Sequence, residues 1–169
     1  MITFKEFPIA GYKARTKENT KADVTLAIAK DFTTAGEILT KNSVISAGNV
    51  YAPIHFFYST LNINYLANYI ASKLIMSTLN IAGNGIYTLK EDQNYVDYKV
   101  FMLLCQLFEL IPRPQRIISG GQTGIDEAGL KAAVKLNIPA VCLAPKGWIF
   151  RDINGVDISD EQLFKQRFK

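Results

Sequence analysis

The residues best suited to do chemistry form one run, Ser119-Gly120-Gly121-Gln122-Thr123-Gly124-Ile125-Asp126, directly after the apolar pair Ile117-Ile118. The β-branched residues before the glycines read as a buried strand. After them Glu127, Ala128, Leu130, Ala132, Ala133, Val134 and Leu136 read as a helix with an apolar face. A strand that turns on glycines into a helix N-terminus brings backbone close to a ligand without a Cβ in the way, and aims unpaired N–H groups at it. Such a turn suits an anion, above all a nucleotide phosphate. Gln122 and Thr123 offer hydrogen bonds to phosphate or ribose, and Asp126 stands in the first helical turn, where a carboxylate suits the dipole. Gly120, Gly121 and Gly124 would equally serve tight strand-to-helix packing with no ligand at all.

Two more loops follow apolar strands: Gly83-Asn84-Gly85 after Leu79-Asn80-Ile81-Ala82, and Ala144-Pro145-Lys146-Gly147-Trp148 after Ala140-Val141-Cys142-Leu143. In an open α/β sheet ligands gather beyond the carboxyl ends of the strands, so all three loops are expected to converge. Lys146 would then pair with a phosphate, Trp148 would stack on a base, and Asn84 and the flanking Gly83 would meet a base edge or ribose hydroxyl. Their plainer roles are a turn former for Asn84, cover for the sheet edge for Trp148 and a solvated charge for Lys146.

Asp23, Asp31 and Glu37 flank another strand end, with Thr33, Thr34 and Gly36 nearby; a metal or general-base role competes there with capping and solvated surface. Tyr12, Lys13 and Arg15 are a basic cluster that either folds over a phosphate or, as expected so near a terminus, forms a mobile tail. His55 reads as a satisfied strand histidine. No catalytic residue is fixed by these patterns, and one histidine with two isolated cysteines supplies no conventional metal site.

The run from Ser119 to Asp126, its alanine-rich helix, Asn137-Ile138-Pro139 and the Ala144 to Trp148 loop together resemble the molybdenum-carrier family. That family lies in the SLOG superfamily of Rossmann-like domains, which also holds the lysine-decarboxylase-like LOG phosphoribohydrolases. The resemblance implies that Gly120, Gly121, Gln122, Thr123 and Gly124 bind a nucleotide or a nucleotide-derived small molecule of ADP-ribose or cyclic-nucleotide type. It also implies a homo-oligomer with sites near the subunit interfaces. LOG enzymes carry a second signature, Pro-Gly-Gly-x-Gly-Thr-x-x-Glu, whose Glu and a partner Arg serve hydrolysis of the base–ribose bond. This sequence has no such segment, so the resemblance favours binding without chemistry: a carrier, a sensor, or a sponge that sequesters a signal, as in phage anti-defence. The alternative is a phosphoribohydrolase-type nucleotide hydrolase drawing its acid from Asp126, Glu127 or Asp23.

The elements that must position these residues can be read in outline. With 169 residues, 49% hydrophobic and 20% charged, the chain fits a single folded domain. The expected parts are a β-rich N-terminal extension over about residues 1–60, a Rossmann-like core over 61–150 and a tail over 151–169. Val24 to Ala29 reads as a strand, Ala35 to Lys41 as a short helix, and Ser43 to Ile45 with Val50 to Phe57 as a hairpin around Ser46-Ala47-Gly48-Asn49. Helices are expected from Ile63 to Ser77, including Leu74, and from a cap at Asp92 to the stop at Pro112 and Pro114. Strand 116–119, helix 124–136, strand 140–143 and a closing helix from Asp160 complete the chain. Alternating strands and helices imply an α/β, three-layer Rossmann-like fold with a mostly parallel sheet, the Gly-Gly turn standing one strand from its end.

A net charge of +4 suits an anionic small ligand, but Lys and Arg are too scattered for a specific nucleic-acid surface. No required cofactor, membrane span or leader is read from the chain, so the cytoplasm is the expected location.

Overall fold

The computed structural model describes residues 1–73 and 76–169. Its centre is a six-stranded sheet in the order β1-β6-β5-β4-β2-β3, every pair parallel. The strands are β1 (Ile2–Glu6), β2 (Val24–Ala29), β3 (Val50–His55), β4 (Thr78–Gly83), β5 (Arg116–Ser119) and β6 (Ala140–Ala144). All six positions of β2 are buried, as a strand covered on both faces requires.

Parallel strands need crossovers, and right-handed ones sort the helices by direction of travel. From β1 to β2 and from β2 to β3 the chain moves one way, through α1 (Tyr12–Asn19) and α2 (Ala35–Ser46), which pack together on one face. Movement back through α3 (Thr60–Ala71), α5 (Gln93–Leu110) and α6 (Ile125–Lys135) covers the other face, with α3 against α5 and α5 against α6. The short α4 (Ile86–Leu89) follows β4. The three layers are those expected, and three of the six strands lie in the first 60 residues.

Several local expectations are corrected. Ser43 to Ile45 lie inside α2, which runs on to Ser46, so no hairpin forms and β3 pairs parallel to β2. Thr34 accepts from the Glu37 N–H and caps α2. Helix α3 spans Thr60–Ala71 rather than Ile63 to Ser77, started by a capping box between Ser59 and Asn62; Leu74 lies outside the described residues. The N-terminal segment is not a tail: β1 pairs with β6, so both β6 and β1 lie beyond the Gly-Gly turn's strand. The C-terminal segment adds an antiparallel pair, β7 (Ile149–Arg151) and β8 (Asp157–Ser159), before α7 (Glu161–Gln166), capped by Asp160 as expected.

Chain order reverses between β2 and β4, since β3 lies outside β2 while β4, β5 and β6 step the other way. That reversal opens a crevice at the carboxyl ends of the strands.

Candidate functional site

A cleft of about 550 Å³ occupies this crevice, lined from α1 by Arg15 and Asn19, from α2 by Glu37, from β4 by Asn80, from α6 by Asp126 and from the β6 loop by Lys146. Alternation along β4 explains its floor: Asn80 and Ala82 face the cleft, while Leu79 and Ile81 on the opposite side enter the core.

Arg15 reaches the site because α1 crosses the sheet. The side chain is 6% exposed, and Nη1 donates to the Gly120 carbonyl at 2.6 Å and the Leu143 carbonyl at 3.2 Å. No carboxylate lies within ion-pair distance of it among the described residues. Burial lowers its pKa, while Asp126 acts in the opposite direction. A buried guanidinium without an ion pair is costly, and an incoming anion would offset that cost.

Asp126 turns back over its own turn: a Cβ on Gly120 would lie 2.5 Å from its Oδ2. Enclosure in the cleft pushes this carboxyl up to about 6, against the pull of Arg15 and of the Gln122 and Gly120 backbone. Glu37, 4% exposed, is pushed up to about 7 by burial, with Asp126 and Asp31 adding to the shift. Two carboxyl groups of raised pKa in one cleft can take or give protons near neutral pH.

The N–H groups where the turn enters α6 are engaged. Gly124 N–H donates to Gln93 Oε1 at 2.7 Å, Ile125 N–H to the Asn84 carbonyl and Glu127 N–H to the Gln122 carbonyl. Gln122 Nε2 donates to the Ile149 carbonyl at 2.8 Å, and the Thr123 hydroxyl to the Arg151 carbonyl, so both side chains hold β7 while lining the cleft. Gly121 adopts φ +70°, a Cβ there would lie 2.5 Å from Cys142 Sγ and 2.7 Å from Phe164 Cζ, and its carbonyl accepts from Arg167 Nη2.

The other expected site residues divide. Gly83 and Lys146 line the cleft. Asn84 lies beneath it: Oδ1 accepts from the Lys30 and Asp31 N–H groups, and Nδ2 donates to the Asp31 carbonyl and, at 3.5 Å, to Glu37 Oε1. Trp148 is half-buried, edge-on to Phe164 at 5.5 Å, with Lys165 over its ring. Of the acids considered for hydrolysis, Glu127 is paired with Lys131 and Arg167, and Asp23 accepts from the Ser77 and Thr78 N–H groups where β4 begins. Asp126 alone of those three lines the cleft.

Four site residues carried weak sequence signals or none. Arg15 had only its place in a basic cluster, and Glu37 stood among several acids around a strand end. Asn19 and Asn80 have no motif; Asn80 breaks the apolar run of β4, and that break was the only trace of a polar floor.

Residues 117–154 match the family described as circularly permutated YpsA SLOG, a segment that holds β5, α6, β6 and β7. That segment is of SLOG type. Comparisons with curated proteins and with solved structures returned no match. The matched segment supplies Gln122, Thr123, Asp126 and Lys146 to the cleft, whereas Arg15, Asn19, Glu37 and Asn80 come from outside it. Among the described residues no helix is long and apolar enough to cross a membrane, and no cluster of three metal-ligating side chains forms.

Proposed function

We propose that the cleft binds a nucleotide or nucleotide-derived small molecule, of ADP-ribose or cyclic-nucleotide type, with a phosphate beside Arg15, Lys146 and the Gly120 to Thr123 turn. The observation that carries this reading is the buried Arg15 guanidinium, which leans on two main-chain carbonyls and, among the described residues, meets no carboxylate within ion-pair distance. The SLOG family match over residues 117–154 is compatible with a nucleotide-related ligand. Tyr12 and Tyr87, both more than half exposed at the cleft, suit stacking on a base. The protein acts by holding its ligand, as a carrier, sensor or sequestering protein. Purification from a nucleotide-rich host, denaturation and mass spectrometry of the released molecule test this. About one intact nucleotide per chain supports it; a chain that carries none and takes up none from a nucleotide mixture refutes it.

A second reading, hydrolysis of the bound nucleotide, is favoured by one observation: Glu37 and Asp126 face one cleft with raised pKa values. One carboxylate would take a proton from water while the other carboxyl protonates the leaving group. Free base released in step with enzyme concentration would establish this reading over retention.

A further inference from the structure

Five buried polar side-chain atoms lack a hydrogen-bond partner among the described residues, and four belong to residues lining the cleft: Arg15 Nε, Asn19 Oδ1, Glu37 Oε2 and Asn80 Oδ1. The fifth, Arg167 Nε, lies elsewhere. Native proteins leave few buried polar atoms unpaired, so a concentration of them in one cavity marks missing partners. Three of the four are oxygens that accept, on side chains 7%, 4% and 1% exposed for Asn19, Glu37 and Asn80. They come from α1, α2 and β4, three separate elements that all line the cleft.

We infer that Asn19 Oδ1, Glu37 Oε2 and Asn80 Oδ1 form a sugar-hydroxyl subsite that selects ribose over 2-deoxyribose. This rests on the nucleotide-binding reading and names the part of the ligand that the floor recognises. An array of acceptors calls for a group rich in donors. A nucleobase edge alternates donors and acceptors, whereas a ribose cis-diol offers two O–H donors side by side, the pattern a carboxylate takes in dinucleotide folds. The acceptors are held in place before ligand arrives: Asn80 Nδ2 donates to Thr25 Oγ1 at 3.2 Å, and Asn84, fixed by three bonds to the loop after β2, holds Glu37 Oε1. With phosphate at Arg15 and hydroxyls at Glu37, the ligand lies across the ends of β5, β4 and β2.

A site built to pair a hydroxyl loses affinity for an analogue lacking it, because its own polar group is left buried and unpaired. NMR-detected titration of the full chain at pH 8, where Glu37 is mostly ionised and accepts, with ribose 5-phosphate and 2-deoxyribose 5-phosphate tests this without assuming a base. The ribose compound is expected to bind at least about 10-fold more tightly. In Glu37→Gln, which keeps the shape but turns part of the acceptor into a donor, that preference should fall to less than about 3-fold. Equal binding of both sugars by the wild type overturns the subsite and leaves nucleotide binding standing; a full preference retained in Glu37→Gln removes Glu37 from it. Binding of neither sugar phosphate overturns both readings. The wild-type comparison decides even where the variant does not fold.

Discussion

Arg15 Nη1 donates to the carbonyl oxygen of Gly120 at 2.6 Å, joining residues 105 positions apart. The first helix and the Gly-Gly turn are therefore one unit, and the cation that sits at the turn comes from a segment far from the recognisable motif. Removing the charge while keeping a hydrogen-bonding side chain separates its two roles. Arg15→Gln should weaken binding of a nucleoside monophosphate by about 10- to 100-fold, as for loss of a charge-assisted hydrogen bond worth about 1.5–3 kcal/mol. Circular dichroism that reports a native fold makes calorimetric affinity the deciding quantity.

Glu37 makes the fold sensitive to pH. Its pKa is raised by burial to about 7 from an ordinary 4.5, so the native state favours the protonated form. The stability associated with that proton is fully present below the unfolded pKa and is lost as pH rises through about 7. Glu37→Gln does not titrate there, so the variant should gain on the wild type as pH rises, by an amount on the order of 3 kcal/mol at most. Urea denaturation of both proteins at pH 5 and pH 8 measures this. A stability difference that stays constant between the two pH values would contradict the burial argument.

Gly121 is held by packing. A side chain there would meet Cys142 and Phe164, and φ +70° disfavours any residue with a Cβ. Gly121→Ala should cost about 2–4 kcal/mol from the left-handed backbone and the crowding together. Chemical denaturation reads it directly, and a loss below about 1 kcal/mol would show that α7 yields easily.

Phe164 closes the C-terminal segment. It is fully buried, with Trp148 and Phe150 edge-on to it and the Arg167 guanidinium 4.5 Å from its ring centroid. Phe164→Ala should lose about 3–5 kcal/mol, the usual cost of emptying a buried aromatic position. A thermal midpoint lowered by several degrees is the expected sign; an unchanged midpoint would mean that α7 contributes little to the fold.

Five of the six strands were legible because their signals are local; β1, in which charged residues follow the apolar ones, was not. Runs of β-branched and other apolar residues marked β2, β5 and β6, and Asp92 with Pro112 bracketed α5. The hairpin expectation failed because Ser46-Ala47-Gly48-Asn49 reads the same as a helix C-terminus or as a hairpin turn; tertiary pairing of β3 with β2 decided the matter. Of the cleft, the part contributed by Gln122, Thr123, Asp126 and Lys146 follows from loops at strand ends. Arg15, Asn19, Glu37 and Asn80 do not, since their meeting depends on α1 crossing the sheet and on strand order, neither of which any short spacing encodes. Gly121 shows the converse: a motif glycine whose surroundings are Cys142 and Phe164, set by a C-terminal helix that the motif does not reveal.

The central claim is that the cleft holds a nucleotide-like anion against Arg15. Titration calorimetry of the wild type and Arg15→Gln with AMP and with ADP-ribose tests it most directly. Saturable binding of at least one of the two near one per chain, weakened about 10-fold or more in a folded Arg15→Gln, is the predicted result. No binding of either compound by the wild type, or undiminished binding by the folded variant, would contradict it.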